Sequence, residues 1–302
     1  MWFKNLRLYR LTEDWTHTPE DLNTALEAQC FNPCGSLDLM RYGFIEPLGR
    51  HGTEFIHATN GYIMICAKKQ EKLLPSSVIN EQLEEKALAI SEAESRSVGR
   101  KEKQTLKDEI IFSLLPKAFA KSSLDFAYIA PQEKLIIVNS SSAKRAEDLL
   151  SKLREALGSL RCIPISAKNI PTQVMTHWVQ TGKLTNDFEL GEECELHAGK
   201  DERVIRCKKQ DLTADEILSH LSSGMFVSKL AVTWKESIHC VLDDQLAVKR
   251  LKFDDVISEK ANDRNPDTKA EQFDADFAIM SGELKNFIVA LLAAFGGETD
   301  PV

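Results

Sequence analysis

Residues 76–121 read SSVINEQLEEKALAISEAESRSVGRKEKQTLKDEIIFSLLPKAFAK, and they decide the architecture. After Pro75, either Ser76 or Ser77 can cap a helix that carries Ile79, Leu83, Ala87 and Ile90 along one side. Ala89 to Lys103 is highly polar. Thr105 and Asp108 then stand at capping spacing before the apolar set Leu106, Ile110, Ile111, Leu114 and Leu115. Pro116 lacks a backbone donor and should end or kink that second helix. The segment therefore predicts a helical hairpin with a charged turn, inserted between pieces of strand character. Those pieces are the apolar run Tyr62 to Ala67 before it, and Phe126–Ile129 and Leu135–Val138 after it.

Outward from the hairpin the chain is mixed. Residues 2–10 alternate as a strand does, and Thr18-Pro19-Glu20-Asp21 reads as a helix start. Residues 31–61 are rich in Gly and Pro and predict loop with short strands. Ala146, Leu149, Leu150, Leu153 and Leu157 make a helical stripe stopped by Gly158. Ile163–Ile165 predicts a strand, and Val174–Gln180 a helix closed by Gly182. Residues 183–200 are polar and weakly patterned, and Arg203–Cys207 is a strand. Thr213-Ala214-Asp215-Glu216 has the form of a capping box. Val227–Trp234, Ile238–Leu242 and Leu246–Phe253 predict a three-stranded meander. Residues 254–272 are acidic and loop-like, and a last helix carries Leu284, Phe287, Ile288, Leu291, Leu292 and Phe295 up to Gly296-Gly297. The fold class is α+β. A central α/β domain is expected over 1–75 and 122–170, the hairpin over 76–121, and a C-terminal α/β domain over 171–302.

Length and composition suit a globular chain: 302 residues, 43% hydrophobic and 28% charged. Lys4, Arg7 and Arg10 interrupt the N-terminus where a secretory signal needs an apolar stretch. The longest apolar run, Phe287 to Phe295, is far short of a bilayer span. Seven cysteines, odd in number and dispersed, predict free thiols, so the expectation is a cytosolic protein without membrane association.

The formal charge is −8, but it is unevenly spread. Phe253 to Val302 holds 11 acidic and 4 basic residues, which leaves a net of only −1 over the first 252. Arg96 to Lys121 carries a net +4, Lys200 to Lys209 a net +3, and Lys249, Arg250 and Lys252 form a third cluster. Such a chain can present one basic and one acidic face, although solvated helix faces give the same pattern. Lys208, Lys209 and Gln210 follow a strand and precede a helix, a placement suited to phosphate. The words Ile65-Cys-Ala-Lys-Lys-Gln-Glu71 and Ile205-Arg-Cys-Lys-Lys-Gln-Asp211 echo each other, so Lys68, Lys69 and Gln70 form an equivalent group if the echo is a duplication. Arg96, Arg100, Lys101, Lys103 and Lys117 are further candidates from charge. Phe119, between Lys117 and Lys121, either packs on another subunit or a base, or folds onto its own helices.

Enzyme signatures are weak. The loops G-x-x-x-x-G-K-[ST], G-x-G-x-x-G and G-x-S-x-G do not occur. Cys30, Cys34, His51 and His57 approximate zinc-finger spacing, but residues six apart on a helix stand about 240° apart, and the intervening Pro47 and Gly49 suit a loop. Neither metal nor cofactor is expected. Asp274 and Asp276, two apart, would share one face if they lay on a strand, with Asp254, Asp255, Asp263 and Glu283 near in sequence. That leaves a metal-dependent nuclease as one alternative.

Taken together the segments resemble the recombination-associated protein RdgC family of bacteria. The resemblance rests on Phe31-Asn32-Pro33-Cys34-Gly35-Ser36, Cys66 to Pro75, Leu114-Leu115-Pro116-Lys117-Ala118-Phe119, Ala143 to Asp148, Lys208 to Thr213, Leu251-Lys252-Phe253 and Phe273 to Phe277, in order along essentially the whole chain. It implies a non-enzymatic, nucleoid-associated protein. Such a protein forms a ring-shaped homodimer around duplex DNA, binds with little sequence preference and restrains RecA-driven strand exchange. It implies a gate contact for Phe119 and a DNA-facing position for Lys208, Lys209 and Gln210. An adaptor that touches the recombinase directly is the second alternative.

Overall fold

The computed structural model describes residues 1–199, 202–262 and 266–299. Lys200 and Asp263, weighed above, lie outside them. In chain order the elements are β1 (Arg7–Leu11), α1 (Pro19–Glu27), β2 (Met40–Ile45), β3 (Ile56–Thr59), β4 (Tyr62–Lys72), α2 (Ser76–Glu94), α3 (Arg100–Leu114), β5 (Ala120–Ala130) and β6 (Leu135–Val138). They continue with α4 (Ala143–Leu157), β7 (Cys162–Pro164), α5 (Pro171–Thr181), β8 (Phe188–Ala198), β9 (Val204–Lys208), α6 (Asp215–Ser222), β10 (Met225–Trp234), β11 (Ile238–Asp243), β12 (Val248–Phe253), α7 (Asp255–Asn262) and α8 (Lys269–Ala294). The mixed α+β expectation holds. The chain divides into two compact units, one of Met1–Leu26, Glu46–Cys66 and Asp125–Val302, the other of Glu27–Ile45 and Ala67–Leu124. The segments 1–75 with 122–170 and 171–302, read above as two domains, thus contribute mostly to the first unit, and the hairpin belongs to the second.

The first unit holds two sheets. In one, β6 lies between β5 and β1, pairing Ala127 with Val138 and Arg7 with Val138, and β7 follows on the far side of β1. All four residues of β6 are buried, as a continuous Leu-Ile-Ile-Val run in a central strand requires. In the other sheet the order is β12-β11-β10-β8-β9, antiparallel throughout. The meander read from sequence is thus three strands of five. β8 was not foreseen in the polar stretch 183–200. Its inward residues Cys194 and Leu196 are buried, while Glu193 and Glu195 alternate with them and hide the apolar pattern.

α8 is the core helix. It begins at a capping box between Thr268 and Glu271, fifteen residues before the Leu284 stripe that marked it in sequence. By length and composition it could cross a membrane, longer than the nine-residue run suggested. Its apolar stripe is core here: Phe277, Phe287 and Phe295 are fully buried, and Phe287 packs edge-on to Trp234 and against Phe188. α7 occupies part of the acidic stretch read as loop. The Thr213 box is also corrected: Ala214 is the N-cap of α6, and Thr213 instead bonds Asp211 at 2.7 Å. Thr18 does cap α1, bonding the Asp21 backbone at 3.1 Å and the Asp21 carboxylate at 2.8 Å. The seven cysteines are free, and Cys66, Cys194, Cys207 and Cys240 are buried.

The second unit combines β2 with the remaining lengths of β4 and β5 and the α2–α3 hairpin. Gly43 is required there, because a Cβ on it would stand 2.6 Å from the Phe31 Cα. The hairpin is longer than its caps suggested. Pro75, not Ser76 or Ser77, is the N-cap of α2, and α3 starts after Gly99, so Thr105 lies inside α3 and bonds back to the Lys101 carbonyl. The Leu73 N–H donates to the Phe119 carbonyl at 2.7 Å and ties the two ends of the hairpin together.

Candidate nucleic-acid interface

One face of the five-stranded sheet gathers charge. Glu193 stands opposite Lys208, and Glu195 opposite Arg206 on one side and Lys229 on the other. Cross-strand neighbours of opposite charge attract, and the distances follow. Arg206 Nε and Lys229 Nζ each lie 2.7 Å from Glu195, and Lys249 lies 2.7 Å from Asp243. A register shift between His239 and Val241 and a left-handed φ of 52° at Arg250 turn β12, and the Arg250 guanidinium reaches Glu193 at 2.8 Å. Arg206, Lys208, Lys229, Lys249 and Arg250 thus line one open cleft of about 390 Å³. A larger cavity of about 470 Å³, beside Arg7, Tyr9 and Ile165, is mostly apolar and lacks this concentration of cations.

Lys208 closes β9, exposed and only loosely paired with Glu193 at 3.9 Å. Lys209 follows at a positive φ of 53° and is exposed, and Gln210 is tied by its N–H to the Glu192 carbonyl. The strand-then-helix order expected around them holds: β9 ends at Lys208, and α6 begins at Asp215 with Ala214 as its N-cap. Lys68 and Lys69 do not repeat this setting. They lie within β4 of the second unit, Lys68 over the Phe31 ring and Lys69 at 2.6 Å from Glu71, so the shared word spans two different local structures. Lys229, Glu193 and Glu195 escaped the sequence reading. Their signal was the alternation Glu193-x-Glu195-x-His197 facing Arg206-x-Lys208, which only becomes a pattern once the strands are paired.

On the hairpin, Arg96 is held by Glu94 and Glu102 at the turn. Arg100, Lys101, Lys103 and Lys117 are exposed and carry no ion pair among the described residues. Phe119 is 84% exposed, which rules out its folding onto its own helices and leaves an apolar ring set between cations. Leu88 and Phe112 are likewise exposed on the hairpin.

Residues 1–298 match the family model described as "Putative exonuclease, RdgC". The chain is 45% identical over 303 residues to the recombination-associated protein RdgC of Aeromonas hydrophila, covering all of both chains. It is 45% identical over 303 residues to that of Pseudomonas entomophila, covering 100% of this chain and 99% of that one, and 42% identical over 299 residues to that of Tolumonas auensis, covering 99% of each. The chain belongs to the RdgC family.

In this RdgC-family chain the carboxylate pair considered for metal chemistry is not on a strand. Asp274 and Asp276 lie on α8, where two residues subtend about 200°. They diverge: Asp274 accepts from His57 at 3.0 Å, while Asp276 pairs with the Met1 ammonium and accepts from Gln272 at 2.9 Å. Of the zinc-like quartet, Cys30 and Cys34 belong to the second unit and His51 and His57 to the first. Among the described residues no three potential metal ligands converge.

Glu195 is the anchor of the cleft. Burial alone would raise its carboxyl, but hydrogen bonds from Lys229, Arg206 and His197 bring it from the ordinary 4.5 down to about 2. A carboxylate whose pKa falls on folding stabilises above the unfolded value, and that stability is lost as pH falls from about 4.5 towards 2. Glu195→Gln is therefore expected to lower stability at pH 7 by on the order of 3 kcal/mol and to flatten the acid limb. Urea midpoints of both forms at pH 7 and near pH 3 check this.

Proposed function

We propose that this chain binds double-stranded DNA without reading its sequence and acts in recombination, as the names of its relatives indicate. It works as a homodimer that closes a ring around the duplex, and it restrains RecA-driven strand exchange by limiting access to the DNA. It acts in the cytoplasm at the nucleoid, and it uses no cofactor, metal or membrane.

The observation that carries this reading is the cleft lined by Arg206, Lys208, Lys229, Lys249 and Arg250, in a chain of net charge −8. Long cations on an open sheet face suit a phosphate backbone, and phosphate contacts fix position without reporting sequence. Exposed Phe119 and the unpaired cations of the hairpin support an intersubunit gate on the other unit.

Binding to a fluorescent random duplex, titrated from low to high salt, tests the reading. Each phosphate contact should contribute about −0.9 to the slope of log affinity against log salt, so five cations predict a slope of about −4 to −5. Affinity should barely vary between unrelated sequences, and blocking both DNA ends should remove the long-lived complexes of a threaded ring. Absence of binding at low salt would replace this reading with the recombinase adaptor. Added Mg²⁺ or Mn²⁺ should leave the duplex intact. Metal-dependent shortening that disappears in Asp274→Asn would establish the nuclease instead.

A further inference from the structure

We infer that the carboxylate of Glu193 occupies a phosphodiester subsite of the cleft, between Lys208 and Arg250, and that DNA binds there by displacing it. This rests on the DNA-binding reading above and names the group that restrains it.

The carboxylates of the cleft are not alike. Glu195 is 8% exposed and holds Arg206, Lys229 and His197 together, so it is part of the framework. Asp243 is 3% exposed and accepts from the backbone of Gln245 and Ala247 as well as pairing with Lys249. Glu193 has no such framework role. Its side chain is 30% exposed at the rim and pairs with the two cations, Arg250 at 2.8 Å and Lys208 at 3.9 Å. Arg250 holds its carboxyl below the usual range, so it is an anion at neutral pH.

The backbones that carry these two cations are set without its help. Arg250 is fixed at its root, where its backbone N–H donates to Asn5 Oδ1 at 3.2 Å. Lys208 is fixed by the β8–β9 ladder. An oxyanion between two positioned cations stands where a phosphate oxygen would stand, and a phosphate offers more acceptor oxygens than a carboxylate. The Lys208 contact at 3.9 Å is too long for a hydrogen bond, so that ammonium has a donor to spare for an incoming group. Ser141 lines the same cleft and can add a hydroxyl donor. The internal anion lowers resting affinity and keeps the face from binding any polyanion indiscriminately.

The test is Glu193→Gln, which keeps the shape and removes the charge. Against a short random duplex at fixed salt the variant should bind about threefold to tenfold tighter, the scale of one charge-assisted contact. Its log–log salt slope should steepen by about one to two units, since up to two more cations are free to take phosphates. Glu193→Gln combined with Arg250→Gln should lose the gain. Equal or weaker binding by Glu193→Gln, with an unchanged melting temperature, would overturn the inference and make Glu193 a positioning residue. A second probe, retention on immobilised heparin, separates this from the parent reading. Later elution of the variant with no duplex binding by either form would overturn DNA as the occupant and leave only an anion contact between Lys208 and Arg250. Duplex binding by both forms with no gain and no later elution removes the subsite and leaves DNA binding intact.

Discussion

Lys208→Glu combined with Lys209→Glu is expected to weaken duplex binding by roughly 100-fold or more at moderate salt. Two phosphate contacts would be lost, each worth about tenfold, and two carboxylates would then repel the backbone they replaced. The salt slope should flatten by about two units, because two fewer counterions are released. Both lysines are exposed, and the single ion pair at stake, Lys208 with Glu193 at 3.9 Å, is loose. Folding should therefore change by less than about 1 kcal/mol, the scale of a surface pair. A melting curve that overlays the wild type, beside a lost mobility shift, is the combined expected result. Retained duplex binding would show that DNA does not use this cleft and would favour the adaptor.

Phe287→Ala should destabilise the first unit by about 3–5 kcal/mol, the usual cost of truncating a buried Phe in a packed core. The ring is 0% exposed, 5.7 Å from Trp234 and 5.9 Å from Phe188. The loss has two parts, the removed apolar surface and the cavity that β8, β10 and α8 cannot all move to fill. A midpoint lowered by on the order of 10 °C in a thermal scan checks this. Because α8 underlies the sheet whose other face bears the cleft, duplex binding should be lost at the same temperature as the fold, and not below it. A shift of under about 1 kcal/mol would show that the core repacks around the gap.

The hairpin, the Thr18 start of α1, the α4 stripe and the β10–β12 meander were legible because each is written in neighbours. Periodicity at i+3 and i+4 and a helix-stopping proline act within a few residues and place these elements, although the hairpin's own caps fall at Pro75 and Gly99 and not at the serines and Thr105. β8 was not legible. Its outward positions are glutamates, poor strand formers alone, and they become favourable only opposite Arg206, Lys208 and Lys229. The element under the Asp274–Asp276 pair stayed open, because both a strand and a helix can carry Phe-Asp-Ala-Asp-Phe. The Thr268 cap and the core stripe, both outside that word, select the helix.

The site divides along the same line. Lys208, Lys209 and Phe119 could be named from the chain alone, through local charge and through the resemblance. From sequence alone come the mixed class, the hairpin, the uneven charge and the family. The tertiary structure decided the rest: that Arg206, Lys229, Lys249 and Arg250 share one cleft with Lys208, that Lys68 and Lys69 stand in another setting despite the same word, and that Glu193 faces two cations. The physical reason is range. Capping and periodicity are properties of adjacent residues, whereas a charged cleft is made by strand pairing across Glu193 to Arg250, and side-chain partners that far apart are chosen by register and by nothing written locally.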